Sequence, residues 1–234
     1  MGRLFYFYSM DTFKKLENPV WHSLCETHEK FAITYNNVKF YHPDICPFGA
    51  FTHFEDTQQA MLKYAELTKD FFIVGETPKK PASILFDKAV PCEQMVLEAL
   101  AEPTYSHTIE KLTENHIQEI YDLVWLVMPG YYKKRTFEMG DYYGIFIDNK
   151  LVAITGERLQ LNEFIEVSAV VTHPNYTRRG LAKQLVAHTC KKILDKGKIP
   201  ILHVADKNVS AIKLYEKLGF KSIRKMVWRH YLVK

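Results

Sequence analysis

The chain is organised around residues 164–182, which read Phe-Ile-Glu-Val-Ser-Ala-Val-Val-Thr-His-Pro-Asn-Tyr-Thr-Arg-Arg-Gly-Leu-Ala. From Ile165 to Thr172, apolar residues recur with the two-residue period of a β-strand. Pro174 ends this strand, because proline has no backbone N–H to donate to a sheet. After a polar turn at 175–180, apolar residues recur at helical spacing until Gly197. The stretch therefore predicts a strand, a tight turn and a helix.

The predicted helix begins beside Gly180, and the start of a helix is suited to bind an anion. Its first backbone N–H groups have no partner within the helix, and the helix dipole places partial positive charge there. Gly180 and Ala182 keep large side chains away from the backbone, so that a phosphate can approach it. The turn is therefore predicted to be a phosphate cradle.

Two motifs carry a resemblance to a known family. Residues 173–182 resemble the acyl-coenzyme A loop of the GCN5-related N-acetyltransferases (GNAT), whose pattern is Arg/Gln-x-x-Gly-x-Gly/Ala, although Thr177 replaces the first Arg or Gln. Residues 208–220 resemble the second hallmark of the family, an Asn that opens a helix carrying a Tyr and ending at Gly-Phe. Residues 156–182 and 202–204 are most similar to the FR47-like branch that is related to glycine N-acyltransferase.

The resemblance implies an α/β fold, the GNAT fold, in which a central mixed β-sheet is flanked by helices. It implies acetyl-CoA as cosubstrate, without a metal, and direct transfer of its acetyl group to a primary amine in a ternary complex. A non-catalytic module that binds or senses acyl-CoA is the alternative from a different functional class. The resemblance places these residues at the cofactor: Val170, Val171, Thr172, Thr177, Arg178, Arg179, Gly180, Leu181, Ala182, Asn208 and Tyr215.

Acyl transfer to an amine requires a base for the ammonium proton, donors for the oxyanion and an acid for the departing thiolate. The resemblance places the base at Glu166, on the predicted central strand. A solvated carboxylate, or a salt-bridge partner of Arg158, is the alternative interpretation of this residue. As a base, Glu166 would need partial burial to raise its pKa, or a water that relays the proton.

The other catalytic groups come from the helix after Asn208 and from the central strand. Tyr215 stands at the family position for the acid, because its phenol can donate a proton to sulfur; a core aromatic is the alternative. Asn208 can cap its helix or form a hydrogen bond with the cofactor. A backbone N–H near Val170 or Val171 is expected to serve the oxyanion.

The second half of the chain, residues 103–234, has a clear order of elements. The pattern predicts a strand over Ser106–Leu112, a hairpin of Tyr142–Ile147 with Leu151–Arg158, and a buried parallel strand over Ile199–Val204. Three basic residues follow the first helix of this half and could hold an acceptor carboxylate: Lys133, Lys134 and Arg135. A small amine or amino acid is therefore the expected acceptor.

The first half, residues 1–102, is predicted to be a separate α/β domain with its boundary at Glu102-Pro103. Its pattern predicts a broken helix over 11–27, a buried strand over 71–74 and a helix over Cys92–Ala101. This order of elements matches a degenerate GNAT-like half. We expect the first half to pack against the transferase domain and cover one side of the acceptor site, with a role in a homodimer as the alternative.

Charge is distributed unevenly between the halves. Residues 1–102 hold 10 Lys and Arg against 14 Asp and Glu, a net charge of −4, while residues 103–234 hold 21 against 13, a net charge of +8. The basic half is the half with the predicted cradle, and coenzyme A carries a pyrophosphate and a 3′-phosphate. A basic surface would also suit nucleic acid, but recognised nucleic-acid motifs are absent, so we expect no nucleic-acid partner.

Composition and cysteine usage exclude several other classes. Hydrophobic residues make up 47% of the 234-residue chain, which indicates a globular protein. No apolar run is long enough to span a membrane and the first residues do not form a secretory signal, so a cytoplasmic location is expected. Four dispersed cysteines do not suggest a disulfide framework. The His22-x-x-Cys25-x-x-His28 spacing suggests zinc only weakly, because paired Cys-x-x-Cys knuckles are missing.

Overall fold

The computed structural model describes residues 10–130 and 132–234. The described strands are β1 Ala32–Tyr35, β2 Val38–Tyr41, β3 Phe48–Phe51, β4 Asp70–Val74, β5 Ile84–Leu97, β6 Glu110–Lys111, β7 Tyr142–Ile147, β8 Lys150–Gln160, β9 Phe164–Thr172, β10 Ile199–Ala205 and β11 Phe220–Val233. They form one sheet in the order β1-β2-β3-β4-β11-β5-β10-β9-β8-β7-β6. Two neighbouring pairs, β3–β4 and β9–β10, are parallel and the others are antiparallel. The predicted class, a mixed sheet flanked by helices, is confirmed.

The described α-helices are α1 Met10–Lys14, α2 Pro19–Cys25, α3 Thr57–Ala65, α4 Ile117–Val127, α5 Leu181–Asp195 and α6 Val209–Leu218. The predicted break in the helix near residue 18 is confirmed. The 3-10 turn Lys15–Glu17 and Asn18 separate α1 from α2, which begins at Pro19. The predicted hairpin is confirmed as β7 and β8. Its turn residues Asp148 and Asn149 have φ of +50° and +60°, which Asn and Asp tolerate better than other side chains. Among the described helices, none is long and apolar enough to cross a membrane.

The predicted helix over Cys92–Ala101 is wrong, because residues 84–97 form the long strand β5. The apolar spacing of Cys92, Met95 and Val96 fits a helix, but β5 has a strand on each side. It pairs with β10 over Cys92–Val96 and with β11 along its whole length. Backbone pairing on both edges therefore overrides the local helical pattern. The predicted strand over Ser106–Leu112 is shorter than expected, since only β6 is a strand there.

The two predicted domains share one sheet. β5, from the first half, lies between β10 and β11, and the C-terminal strand β11 lies between β5 and β4 of the first half. One hydrophobic cluster also joins Leu24 and Phe48 of the first half to Leu159 and Phe164 of the second. The division at residue 102 stays a prediction, but neither the sheet nor the core is interrupted there.

The two faces of β9 meet different layers. Ile165 and Val167 pack against α5 in one cluster, whereas Phe164 packs with the first half in another. Because side chains alternate between the faces of a strand, Glu166 lies on the same face as Phe164. The first half therefore covers the side of β9 that carries Glu166.

Candidate active site

The central strand β9 is paired with β10 over only part of its length. The parallel pairing joins Phe164–Glu166 to Ile199–Ile201 and stops there, while β9 continues to Thr172. On its other edge β9 follows β8, with a register shift around Ala169, whose φ is +48°. A bulge of this kind bends a strand and increases its twist. Beyond Glu166, β9 and β10 therefore separate and leave a gap.

Backbone N–H groups of β9 face this gap. The N–H of His173 donates to the carbonyl oxygen of Val152 on β8 at 2.8 Å. Successive N–H groups of a strand point to opposite edges, so those of Val170 and Thr172 are directed to the gap. By the same alternation the N–H of Val171 is directed to β8, and its side chain is 1% exposed in the core. Val170 and Thr172 are therefore the donors available to a ligand.

One cavity, which we call the cradle cavity, lies between the β9–α5 turn and α6. Its volume is about 500 Å3, and its lining contains four Lys or Arg residues and no Asp or Glu: Arg178, Lys183, Lys213 and Lys217. Six predicted cofactor residues line it as well, namely Thr172, Thr177, Arg178, Gly180, Leu181 and Ala182. Such a lining favours an anionic ligand.

Gly180 occupies the N-cap position of α5 with a φ of +77°. This left-handed backbone conformation favours glycine. A Cβ at Gly180 would meet only Gln184 Nε2, at 3.9 Å, so crowding by the protein does not explain the glycine. The open space lies beside the first N–H groups of a 15-residue helix, which is the place where a phosphate group fits.

The two arginines of the turn are placed differently. Arg178 lines the cradle cavity. The guanidinium of Arg179 lies 4.9 Å from the centre of the Tyr176 ring, and its Nη2 is 3.4 Å from the carbonyl oxygen of Asn175. Arg179 is not among the lining residues of the cradle cavity. Contact between Arg179 and a cofactor therefore stays a prediction.

A second cavity, which we call the inner cavity, lies at the gap between β9 and β10 and has a volume of about 360 Å3. The first half packs against the second, as expected, and forms one wall with Phe48, Phe72, Val90 and Cys92. The second half contributes the remaining lining: Met128, Arg158, Val167, Ser168, Ala169, Val170, His203, Val204, Ala205, Asn208, Tyr215 and Trp228. Residues of both halves are therefore needed to form this cavity.

Tyr215 lines the inner cavity from α6 and is 8% exposed. Its ring packs against Phe220, with ring centres 6.0 Å apart. Within the described chain, no hydrogen-bond partner is present for its hydroxyl group. Burial raises the pKa of Tyr215 to about 12. The phenol therefore keeps its proton at neutral pH and has it available for donation.

Asn208 is the N-cap of α6, as one of its two interpretations predicted. Its Oδ1 accepts hydrogen bonds from the N–H of Ala211 at 3.2 Å and from the hydroxyl of Ser210 at 3.0 Å. Asn208 also lines the inner cavity. The capping role uses only the amide oxygen, so a cofactor contact through Nδ2 stays a prediction.

Arg158 and Glu166 form a two-point ion pair beneath the inner cavity. Arg158 Nε donates to Glu166 Oε2 at 2.8 Å, and Arg158 Nη2 donates to Oε1 at 2.6 Å. His203 Nδ1 also donates to Oε1, at 2.7 Å, and the amide nitrogen of Gln94 lies 2.9 Å from His203 Nε2. The alternative interpretation of Glu166, a salt-bridge partner of Arg158, is therefore confirmed.

The pKa of Glu166 is lowered, not raised as a direct base would require. Burial alone would raise the pKa of this carboxyl, but the charge of Arg158 and the hydrogen bonds from Arg158 and His203 outweigh it and hold the pKa well below its ordinary value. The Glu166 side chain is 0% exposed and does not line the inner cavity. Full burial results because the first half covers this face of β9. Direct contact between Glu166 and an acceptor amine therefore has no support in this geometry.

Comparison with known proteins agrees with the two sequence motifs. A family model described as FR47-like protein matches residues 142–229. A solved GNAT-family structure from Novosphingobium aromaticivorans shares 28% identity with this chain, with a TM-score of 0.85, and the match covers 94% of this chain and 98% of that one. The family-model match and this structural likeness support the GNAT superfamily for this chain, in its FR47-like branch.

A more distant structure shows the same fold. The GNAT protein from Kribbella flavida shares 14% identity, with a TM-score of 0.62, and the match covers 96% of each chain. No match was found among curated proteins. GNAT membership suggests acyl transfer from acetyl-CoA, whereas the closer relation to glycine N-acyltransferases stays a prediction.

Most of the GNAT site residues that the sequence predicted lie at one of the two cavities. Nine do so: Val170, Thr172, Thr177, Arg178, Gly180, Leu181, Ala182, Asn208 and Tyr215. Val171, Arg179 and Glu166 do not. The sequence reasoning missed the aromatic wall of Phe48 and Phe72, because no local pattern indicates which strands of the first half meet β9.

The basic loop of this GNAT protein does not reach the inner cavity. Lys133 Nζ lies 4.0 Å from Asp70 Oδ1, and Arg135 pairs with Glu138 at 2.6 Å. Among the described residues, the basic side chain that lines the inner cavity is Arg158 instead. A role for Lys133, Lys134 or Arg135 in binding an acceptor carboxylate therefore has no support in this geometry.

His28, part of the weak zinc spacing in the sequence, has hydrogen-bond partners within the described chain. Over residues 10–130 and 132–234, no group of three or more His, Cys, Asp or Glu residues is arranged to hold a metal ion. His28 instead lies 2.9 Å from the Tyr41 hydroxyl through Nδ1 and 3.0 Å from the Met139 carbonyl oxygen through Nε2. It links α2 of the first half to the second half.

Proposed function

We propose that this GNAT protein transfers an acetyl group from acetyl-CoA to the primary amine of a small acceptor, directly in a ternary complex. The observation that carries the proposal is the gap between β9 and β10. Thr172 at one end of the gap lines the cationic cradle cavity, and Val170 lines the inner cavity. The proposed phosphate site and the proposed reaction site are therefore two residues apart on one strand.

The cradle cavity fits the phosphates of coenzyme A. The N–H groups at the start of α5, next to Gly180, would hold the pyrophosphate, and Arg178, Lys213 and Lys217 would neutralise the remaining charge. When bound, acetyl-CoA supplies an activated thioester. The N–H groups of Val170 and Thr172 are then the donors for the thioester carbonyl oxygen.

Tyr215 is the proposed proton donor to the departing sulfur. Its hydroxyl has no competing hydrogen-bond partner in the described chain, and its pKa of about 12 keeps it protonated over the range in which amines are acylated. The phenol can donate a proton or a hydrogen bond to the sulfur as it departs. Tyr215 therefore touches the reacting atoms in this proposal.

Glu166 takes part in proton removal only as a positioning residue in this proposal. It contacts His203, and His203 lines the inner cavity. Proton removal by His203 Nε2, with Glu166 orienting the ring at Nδ1, requires Gln94 to release Nε2, because the Gln94 amide nitrogen lies 2.9 Å from that atom. Glu166 also holds Arg158 in place beside the cavity.

The alternative is a module that binds acyl-CoA without turning it over. Incubation of the protein with acetyl-CoA and a panel of amino acids, polyamines, aminoglycosides and peptides, with release of free thiol as the readout, separates the two functions. We expect amine-dependent thiol release with at least one acceptor class. Binding of acetyl-CoA with no thiol release in the panel would favour the binding module.

A further inference from the structure

One nitrogen of the Arg158 guanidinium at the inner cavity, Nη1, has no hydrogen-bond acceptor among the described residues. Its Nε and Nη2 atoms are occupied by Glu166. Its guanidinium lies between two aromatic rings, 5.2 Å from the centre of Phe48 and 4.8 Å from that of Trp228. No described residue accepts a hydrogen bond from Nη1, and 22% of the side chain is exposed. The guanidinium is therefore held rigidly with Nη1 free.

Among the described residues, the charged side chain that lines the inner cavity is basic. The lining contains one Lys or Arg residue, Arg158, and no Asp or Glu. The carboxylate of Glu166 is 0% exposed and already bonded, so a ligand meets only the arginine. A cationic amine finds no carboxylate to pair with in this lining, whereas a carboxylate would gain a charge-assisted hydrogen bond from Arg158.

The rest of the lining is mainly apolar. Phe48, Phe72, Val90 and Met128 line the cavity together with Trp228. The cavity volume of about 360 Å3 lies near the lower end of the range for small-molecule sites, which is about 300–1,000 Å3. An apolar molecule of modest size that carries one carboxylate matches this shape and chemistry.

We infer that the inner cavity selects a substrate in which an apolar body carries a carboxylate, and that Arg158 binds this carboxylate through Nη1. This inference rests on the proposed function, because it names the substrate class of the same site. The carboxylate has two sources: an acceptor amino acid with an apolar side chain, or a dicarboxylic acyl group on the coenzyme A thioester. Both present the same chemistry to Arg158.

Binding of product-like ligands tests the inference without requiring turnover. In the first arm, N-acetylphenylalanine and N-acetylleucine are titrated in the presence of coenzyme A and compared with their decarboxylated counterparts, N-acetylphenethylamine and N-acetylisoamylamine. In the second arm, N-succinylphenethylamine is compared with N-acetylphenethylamine. We expect the carboxylated ligand to bind about tenfold or more tightly in at least one arm, as for a hydrogen bond to a charged group.

One variant and one control test whether Arg158 causes the preference for the carboxylated ligand. Arg158→Lys keeps the positive charge but lacks the fork that serves Glu166 and a ligand together, so we expect it to reduce the preference to less than threefold. Arg135→Lys is the matched control, because Arg135 pairs with Glu138 outside the cavity, and it should keep the full preference. The wild-type comparison stands by itself if Arg158→Lys does not fold.

The outcomes separate the inference from the proposed function. Equal binding of carboxylated and decarboxylated ligands in both arms would overturn the inference, as would a preference that Arg158→Lys retains in full. Acetylation of decarboxylated and carboxylated amines at equal kcat/KM, together with equal kcat/KM for acetyl-CoA and succinyl-CoA, would leave the proposed function standing and contradict the inference alone. Selective binding of the carboxylates without any thiol release would support the inference and contradict acyl transfer.

Discussion

Arg158 on β8 and Glu166 on β9 face each other beneath the inner cavity and share two hydrogen bonds of 2.8 Å and 2.6 Å. Only the arginine of this pair reaches the cavity lining. The carboxylate is enclosed by His203, by the arginine and by the first half of the chain. The ion pair therefore connects the stability of the fold with the electrostatics of the site.

Removal of one partner should destabilise the protein. Glu166→Gln leaves the guanidinium of Arg158 without its counter-charge, and we expect the free energy of unfolding to fall by about 3–5 kcal/mol. Replacement of both, as Arg158→Met with Glu166→Leu, should recover most of this loss, because buried ion pairs are often no more stable than apolar residues of similar size. Urea denaturation of the three proteins measures both effects.

The same pair should make the wild type sensitive to acid. Because the pKa of Glu166 is lowered in the folded protein, its stabilising contribution is present above about pH 4.5 and is lost as the pH falls further. The Tm of the wild type should therefore fall more steeply below pH 4.5 than that of the double variant. Equal slopes of Tm against pH for the wild type and the double variant would contradict the lowered pKa of Glu166.

If Glu166 also positions His203 for proton removal, Glu166→Gln should lower the turnover rate. This loss of rate should shrink at high pH, where the acceptor amine loses its proton unaided.

His28 should add a second pH dependence in a different range. Burial lowers the pKa of His28 to about 4 from its ordinary 6.5. Between these values only the unfolded chain binds the proton, so stability falls as the pH is lowered from 6.5 to 4, by about 3 kcal/mol at most. His28→Gln should remove this slope.

The control for this experiment is His42→Gln, because the His42 side chain is 46% exposed. Denaturant unfolding at pH 4.5 and at pH 7 gives the slope for each protein. An equal change in the free energy of unfolding for the wild type and for His28→Gln would show that His28 does not cause it.

The sequence predicted the parts of the site that depend on local order. The strand, turn and helix around Gly180 lie within one short stretch, and the cap formed by Asn208 needs only the next three residues. The pairing of Glu166 with Arg158 was open to the sequence only as an alternative to a catalytic base, since the two residues lie on neighbouring strands of one hairpin. The aromatic wall was not predictable, because Phe48 and Phe72 reach β9 only through pairing of distant strands. β5 was misassigned for the same reason, since its partners lie more than 100 residues away.

The position of β5 predicts that the second half does not fold alone. A fragment of residues 103–234 lacks the strand that separates β10 from β11, and it leaves unpaired edges on both. It also loses Met95 and Leu97 from the core beside α5 and α6. We expect the fragment to be unfolded or aggregated by circular dichroism and size-exclusion chromatography. A monomeric fragment that binds acetyl-CoA would contradict this prediction and support a domain boundary at residue 102.

A negative charge introduced at Gly180 should abolish cofactor binding. Gly180→Glu places a carboxylate beside the N–H groups at the start of α5, and we expect the rise in Tm caused by acetyl-CoA to disappear. At a ligand concentration of 100 times Kd, this stabilisation is about 2.7 kcal/mol for the wild type.

The matched control for that variant is Gly197→Glu. Gly197 has a φ of +70°, close to the +77° of Gly180, but it follows the other end of α5. The two variants therefore carry the same added charge and similar backbone strain. If both variants lost the rise in Tm caused by acetyl-CoA, backbone strain would be the cause. If Gly180→Glu kept that rise, the assignment of the cradle cavity as the phosphate site would be contradicted.

The central claim, acyl transfer at the gap between β9 and β10, is tested most directly with Tyr215→Phe. Acetyl-CoA binding and amine-dependent thiol release are measured on the wild type, on this variant and on Tyr105→Phe, a control at an exposed tyrosine. We predict that all three bind acetyl-CoA with similar affinity and that Tyr215→Phe alone loses about 10²-fold or more in kcat, as expected for a lost general acid. Equal turnover by Tyr215→Phe and wild type, or binding of acetyl-CoA by wild type with no thiol release to the amine panel, would contradict the account.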